Sequence, residues 1–343
     1  MALDYLIICL LLFSSLFRAY EASNGDSDPL YRVCVEQCEV TGCAGERCFS
    51  HCKLSSNASS VIDGPWYMQK PFYLQLKQWY CQSECQHQCM AEREKEKALL
   101  GLGPVKYNGK WPFQQFYCFQ EPVSVAFSVL NLALHYHGWD KFLFHVNYKL
   151  PQRRDNTPFY DYRGLWTIYA LLSMSSCFWT AVYHSRDMYL TRILECSSGV
   201  ALLGFSLTLA LIRSFDLRDD AARVMVAAPL LSFTATHILY LNNYQMDSDW
   251  NAKVCGAMAV AQLLIWALWA AIIRPPAAMK LWVAVIGFGL RLLLQMLDFP
   301  PYNGLIDACA LWHASAAPLI YIWWSFVKDD AQCITLTLIK KTK

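Results

Sequence analysis

Two histidines, a cysteine, a glutamate and a threonine stand out in a chain that is otherwise apolar over long stretches. Thr180 and His184 lie four residues apart, as do Cys309 and His313, so each pair shares one face of a helix. Asp307 shortly precedes the second pair, and Glu195 follows His184 beyond a turn. Imidazole, thiolate and carboxylate are the donor types zinc accepts, and two or three protein ligands with an open position make a catalytic site. Zinc so held lowers the pKa of water toward neutrality and directs it at an ester or amide. The same residues also admit structural roles. These are an interfacial place for His184, an ion pair of Glu195 with Arg192 three residues earlier, and a Cys196–Cys309 disulfide.

The elements that must position these side chains are hydrophobic helices. Apolar residues make up 55% of the chain and charged residues 16%, and the apolar excess is gathered into segments. Seven such stretches follow one another at 116–135, 165–183, 193–212, 224–241, 254–273, 281–297 and 305–327. Each approaches the roughly 20 residues a helix needs to cross the hydrocarbon layer. Gln120, Glu121 and Pro122 interrupt the first, which predicts an irregular entry, and the sixth carries Arg291, which must face the interior or pair. The net charge of +2, with basic residues spread among loops, gives no reason to expect nucleic acid.

Residues 1–22 read as a signal peptide, with an apolar core over 5–17 too short to anchor in a bilayer. The region 23–110 then reads as a cysteine-rich lumenal domain, holding eight of the fifteen cysteines. An oxidising lumen makes these disulfides rather than a zinc module. Cys34/Cys38, Cys48/Cys52 and Cys81/Cys85/Cys89 each repeat every four residues, which predicts short helices stapled face to face with connectivity left open. Asn57-Ala58-Ser59 is a glycosylation sequon in the same region.

With the N-terminus lumenal, the bundle over 111–327 alternates across the membrane and residues 328–343 form a cytosolic tail. Basic residues from Lys141 to Lys280 crowd the loops this assigns to the cytosol, whereas the lumenal loops hold only Arg186, Arg192 and Lys253. The terminal Lys340-Lys341-Thr342-Lys343 resembles a dilysine retrieval signal read by a coat receptor, with a basic tail flanking the last span as its alternative. This topology brings Thr180, His184, Glu195, Cys309 and His313 to one lumenal depth.

Further motifs carry a resemblance over the chain from about Tyr31 to the tail. They are Cys34-Val-Glu-Gln-Cys38, Gly109-Lys-Trp-Pro-Phe113, Gln120-Glu-Pro122, Tyr183-His-Ser-Arg-Asp187, Leu297-Asp-Phe-Pro-Pro301 and Asp307-Ala-Cys-Ala-Leu-Trp-His313. Together they resemble the Per-like family (post-GPI-attachment-to-proteins factor 3), within the CREST superfamily of seven-span metal-dependent hydrolases. The resemblance implies an all-α, seven-transmembrane bundle that remodels the lipid of GPI anchors. The implied reaction is a phospholipase A2-like removal of the sn-2 acyl chain, in the endoplasmic reticulum or Golgi membrane, with GPI-anchored proteins as partners. It also implies a metal held by three histidines and supported by a serine and an aspartate. Here Thr180 stands for the serine, Glu195 for the aspartate and Cys309 for one histidine, so the implied zinc ligands are His184, Cys309 and His313. Thr180 then serves as a hydrogen-bond donor and Glu195 as supporting carboxylate or base. Tyr189 and Arg192 also stand where family members carry acids. A thiolate ligand makes the metal a poorer Lewis acid. The alternative is therefore a divergent member that has lost the chemistry and binds lipid or GPI-anchored proteins. A signalling receptor ranks behind both, because the cytosolic loops carry no recognisable effector motif.

Overall fold

The computed structural model describes residues 24–45, 47–49, 81–107, 110–113, 119–153, 157–243, 248–294, 297, 299–302 and 304–342. The expected signal peptide, the sequon at Asn57, Cys52 and Asp298 lie outside these residues. The described residues are helical almost throughout, and the chain falls into two compact units, residues 20–114 with 300–305 and residues 115–299 with 306–343.

The smaller unit is built on two helices, α1 (Pro29–Thr41) and α2 (Cys81–Leu99). Asp28 starts α1 by accepting the Leu30 N–H at 3.1 Å, and Pro29 occupies the first turn, where its missing N–H costs nothing. Gly42 ends α1 at φ 73°, its N–H bonded to the Cys38 carbonyl at 2.7 Å. Disulfides Cys34–Cys89 and Cys38–Cys85 join the two helices, as their four-residue spacing predicts. Cys48 departs from that prediction. It lies in a two-residue strand, β2 (Arg47–Cys48), paired with β1 (Cys43–Ala44), and closes a hairpin through Cys43–Cys48. A positive φ of 55° at Gly45 turns the chain between the strands, so the four-residue interval after Cys48 does not begin on a helix. Across the unit, Arg93 on α2 reaches Asp28 at 2.9 Å and Lys97 reaches it at 3.4 Å.

Among the described residues the larger unit holds seven α-helices: α3 (Pro122–Phe144), α4 (Arg163–Ser185), α5 (Tyr189–Ser214), α6 (Asp220–Asn243), α7 (Ser248–Ile273), α8 (Ala278–Leu294) and α9 (Ala308–Thr342). Four of them, α4, α5, α6 and the Trp250–Ile273 part of α7, are long and apolar enough to cross a membrane. Residues 145–149 extend α3 in a wider π-type turn. Within the first apolar stretch, expected over 116–135, residues 119–121 are non-helical and the helix starts at Pro122, where proline at the first position forgoes an N–H that a longer helix would need.

Packing runs α3–α4–α5–α7–α8–α9 and back to α3 as a closed ring, with α6 against the outside of α5. Small residues let helices meet closely: a side chain at Gly138 would collide with Trp324, and one at Gly204 with Thr234. The core is aromatic, with Trp166, Trp266, Trp323 and Trp324 in edge-to-face and tilted contact with one another and with Phe326 and Tyr169. One ion pair is buried in it. Arg213 on α5 forks onto Asp330 on α9 at 2.5 and 2.8 Å, and Asp330 also accepts from the Tyr160 hydroxyl at 3.0 Å. A charge pair in this setting holds only because its remaining hydrogen-bonding capacity is filled.

Candidate metal centre

The site forms where the last turn of α4 meets the first turns of α9. Asp307 fixes where α9 starts: its carboxylate accepts the Ala310 N–H at 2.7 Å and its carbonyl the Leu311 N–H at 3.1 Å. That start sets the face on which Cys309 and His313 stand.

The last turn of α4 is finished by the segment leading into α3. The Glu121 N–H bonds the His184 carbonyl at 3.1 Å and the Gln120 N–H the Ser185 carbonyl at 3.3 Å. Gln120 Oε1 accepts the Asp187 N–H at 2.8 Å. Helix ends leave carbonyls without partners, and Gln120 and Glu121 supply them before Pro122 turns the chain into α3. The same arrangement seats the Glu121 carboxylate on the histidine, with Oε2 2.5 Å from His184 Nδ1. Glu121, His184 and His313 are buried at 5–6% exposure.

With Nδ1–H committed to a carboxylate, His184 turns the lone pair of Nε2 inward. That atom lies 3.2 Å from His313 Nε2 and 3.9 Å from Cys309 Sγ, and the three donor atoms all fall within 4.8 Å of one another. Two zinc–nitrogen bonds at the tetrahedral angle span about 3.3 Å and a nitrogen–sulfur pair about 3.6 Å. The donors therefore fit a tetrahedral cation in type, and both spacings from His184 lie close to what one needs. Facing Nε2 atoms also require a shared proton or cation between them, since two bare lone pairs repel.

The histidine-bearing turn of α9 is held from two sides. Asn131 on α3 donates Nδ2 to the His313 carbonyl at 2.9 Å, and Arg291 on α8 donates Nε to the Trp312 carbonyl at 3.1 Å. The Arg291 guanidinium also lies 4.1 Å from the centre of the Trp312 ring. This answers the sequence requirement that Arg291 face the interior or find a partner.

Of the residues singled out in sequence, His184, Cys309 and His313 come together, and Thr180 is buried one turn before His184 on α4. Glu195 is not one of the grouped donors: on α5 its Oε2 accepts from the Cys196 thiol at 3.3 Å. Arg192 pairs with Asp187 at 3.3 Å, and Cys196 and Cys309 are both free thiols. The carboxylate touching the cluster is Glu121. Its signal in sequence was an acid and a proline breaking an apolar stretch, noted there as an irregular helix entry rather than as part of a site.

A helical membrane protein with two histidines, a thiol and a histidine-bound carboxylate at one helix junction is the class that fold and site define. The chain belongs to the Per1-like family, whose model matches residues 71–331. It is 30% identical over 315 residues to the zebrafish (Danio rerio) "GPI-specific phospholipase A2-like PGAP3", covering 90% of this chain and 91% of that protein. It is 31% identical over 328 residues to the human protein of the same name, covering 94% and 92%. To "Post-GPI attachment to proteins factor 3" of Drosophila melanogaster it is 29% identical over 320 residues, covering 93% and 92%. No solved structure matches the chain.

Proposed function

We propose that this protein is a GPI-anchor lipid remodelling hydrolase that removes the sn-2 acyl chain at the lumenal membrane face, with zinc held by His184, Cys309 and His313. The convergence of these three donors within 4.8 Å carries the reading. The names of the relatives, GPI-specific phospholipase A2-like proteins, supply the substrate class. In this reading residues 1–22 are a cleaved signal, 23–110 a lumenal domain, 111–327 seven spans and 328–343 a cytosolic tail. The excess of basic residues in alternate loops supports that orientation. The lumenal face of the endoplasmic reticulum or Golgi is also where GPI lipids lie. The terminal lysines are read as a coat-receptor signal.

Zinc in such a site supplies Lewis acidity, polarising an ester carbonyl and making water nucleophilic near neutral pH. The chain's own residues do the rest. Glu121 holds the Nδ1 proton of His184, fixing the tautomer and the aim of Nε2. Asn131 and Arg291 hold the backbone of the His313 turn, so that ligand does not drift. Thr180, buried one turn below His184, offers a hydroxyl to the ester or its developing oxyanion. The supporting carboxylate expected at Glu195 passes in this proposal to Glu121.

The test is fatty-acid release from a GPI-anchored substrate by the purified chain, with zinc measured in the same sample. Wild type is expected to carry zinc and release fatty acid, and His313→Ala to lose both. Absence of zinc from wild type refutes the proposal. Cys309, standing where the family pattern has histidine, favours one second reading, a lipid- or GPI-protein-binding factor without chemistry. Inert wild type together with an active Cys309→His variant would establish it.

A further inference from the structure

At the end of the bundle away from the donor cluster, α3 and α9 flank a shallow groove that is open to the outside. One face of α3 lines it with Leu134, His137, Gly138 and Lys141, and the matching face of α9 with Tyr321, Trp324, Lys328 and Ser325, whose hydroxyl accepts from Lys280 at 2.9 Å. Both sets repeat at three- and four-residue intervals, so each is a continuous stripe. Gly138 sets its depth, since a side chain there would collide with Trp324. From Glu121 to Lys141 is 20 residues of α3, a rise of about 30 Å, or one hydrocarbon layer. With α3 read as the first span, the mouth of the groove lies at the opposite membrane face from the donor cluster.

Its chemistry is amphiphilic. The floor is the tryptophan with the leucine beside it, and the exposed tyrosine ring forms one wall. The rim carries Lys141, Lys328 and His137, and none of these three side chains has a hydrogen-bond or ion-pair partner among the described residues. The acids nearby are engaged or turned away. Asp329 pairs with Lys280 at 2.5 Å, Asp330 with Arg213, and Asp140 falls off the α3 stripe. Two uncompensated lysines over an apolar floor, at a membrane face, complement a ligand with an anionic head and a hydrocarbon tail.

We propose that this groove is a binding site for an anionic phospholipid of the adjoining leaflet. Its head-group phosphate sits on Lys141 and Lys328, and one acyl chain lies along Tyr321 and Leu134. A free phosphate would engage the same cations but leave the apolar floor uncovered, so the lipid is the occupant the groove fits. The site is separate from the donor cluster and does not depend on the reaction proposed for it.

Native mass spectrometry of the full chain in detergent, titrated with phosphatidylinositol, phosphatidylserine or phosphatidylcholine, tests this directly. The anionic lipids are expected to be retained at about tenfold lower concentration than phosphatidylcholine. Each lysine removed is expected to cost about fivefold, so Lys141→Ala with Lys328→Ala abolishes the preference. The paired arginine variant should keep it. If the alanine pair fails to fold, Lys141→Gln with Lys328→Gln, which retains the side-chain stems, is read in its place. Equal retention of phosphatidylcholine, or a preference unchanged in the lysine variants, overturns the proposal. So does displacement of the lipid by millimolar inorganic phosphate, which would make this a free-anion site.

Discussion

Replacing Glu121 by glutamine separates the charge of the carboxylate from its shape. Its Oε2 lies 2.5 Å from His184 Nδ1 in a site where both residues are 5–6% exposed, so water does not substitute for it. A hydrogen bond to a charged group contributes about 1.5–3 kcal/mol and a neutral one about 0.5–1.5. Glutamine keeps an oxygen in the same place and forfeits the difference, roughly 1–1.5 kcal/mol, or about tenfold in zinc affinity. Alanine removes the partner altogether. Loss of a residue that orients a metal ligand weakens binding by about 10–100-fold, and the stranded Nδ1–H costs a further 1–3 kcal/mol, roughly, in fold stability. Competition of the purified protein against a chromophoric chelator measures the affinity, and the thermal midpoint in detergent measures stability. Glu195→Gln is the internal comparison, because its carboxylate is bonded to Cys196, and it should leave zinc affinity unchanged. Wild-type affinity in Glu121→Gln, or an equal loss in Glu195→Gln, would refute the assignment of the orienting carboxylate.

Cys309→Ala should lower zinc affinity while leaving His184 bonded to Glu121, and retention of full affinity would remove the thiol from the ligand set. Asp330→Ala leaves Arg213 buried without its partner and should destabilise the bundle by about 3–5 kcal/mol, read as a drop in thermal midpoint. In the smaller unit, removing Cys34–Cys89 while Cys38–Cys85 still holds the long loop closed should cost about 2–3 kcal/mol, and removing both bridges distinctly more. Burial of Asp28 opposes its ionisation, but Arg93, the Leu30 N–H and Lys97 outweigh this and hold its carboxyl below the ordinary 3.8. Its stabilising contribution is therefore present above that ordinary value and lost as pH falls through the lower, folded one. Asp28→Asn, which keeps the helix cap, should flatten this acid limb of the stability curve.

Much of this structure was legible as spacing. Four-residue intervals placed Cys34/Cys38 and Cys85/Cys89 on facing helices and Cys309 and His313 on one helix face, because helical period is a local property. The interval after Cys48 misled, because Gly45 turns the chain there and spacing alone does not register a positive φ. Glu121 was visible but not its role. The bond to His184 spans 63 residues and depends on Gln120 and Glu121 capping a helix they do not belong to. Cross-helix partners such as Asn131 to the His313 carbonyl leave no periodic trace, for the acceptor is backbone and carries no residue identity.

The two histidines of the metal centre are separated by 129 residues of chain, His184 on the second helix of the ring and His313 on the last. At roughly 5–20 residues per second a ribosome needs about 6–26 s to travel between them. Throughout that interval the first helices stand in the membrane with half a site. No partial product of translation joins the donors, and a chain stopped before the final helix lacks Cys309 and His313 whatever else it has folded. On the proposed reading, competence to bind an ion would therefore mark a finished molecule.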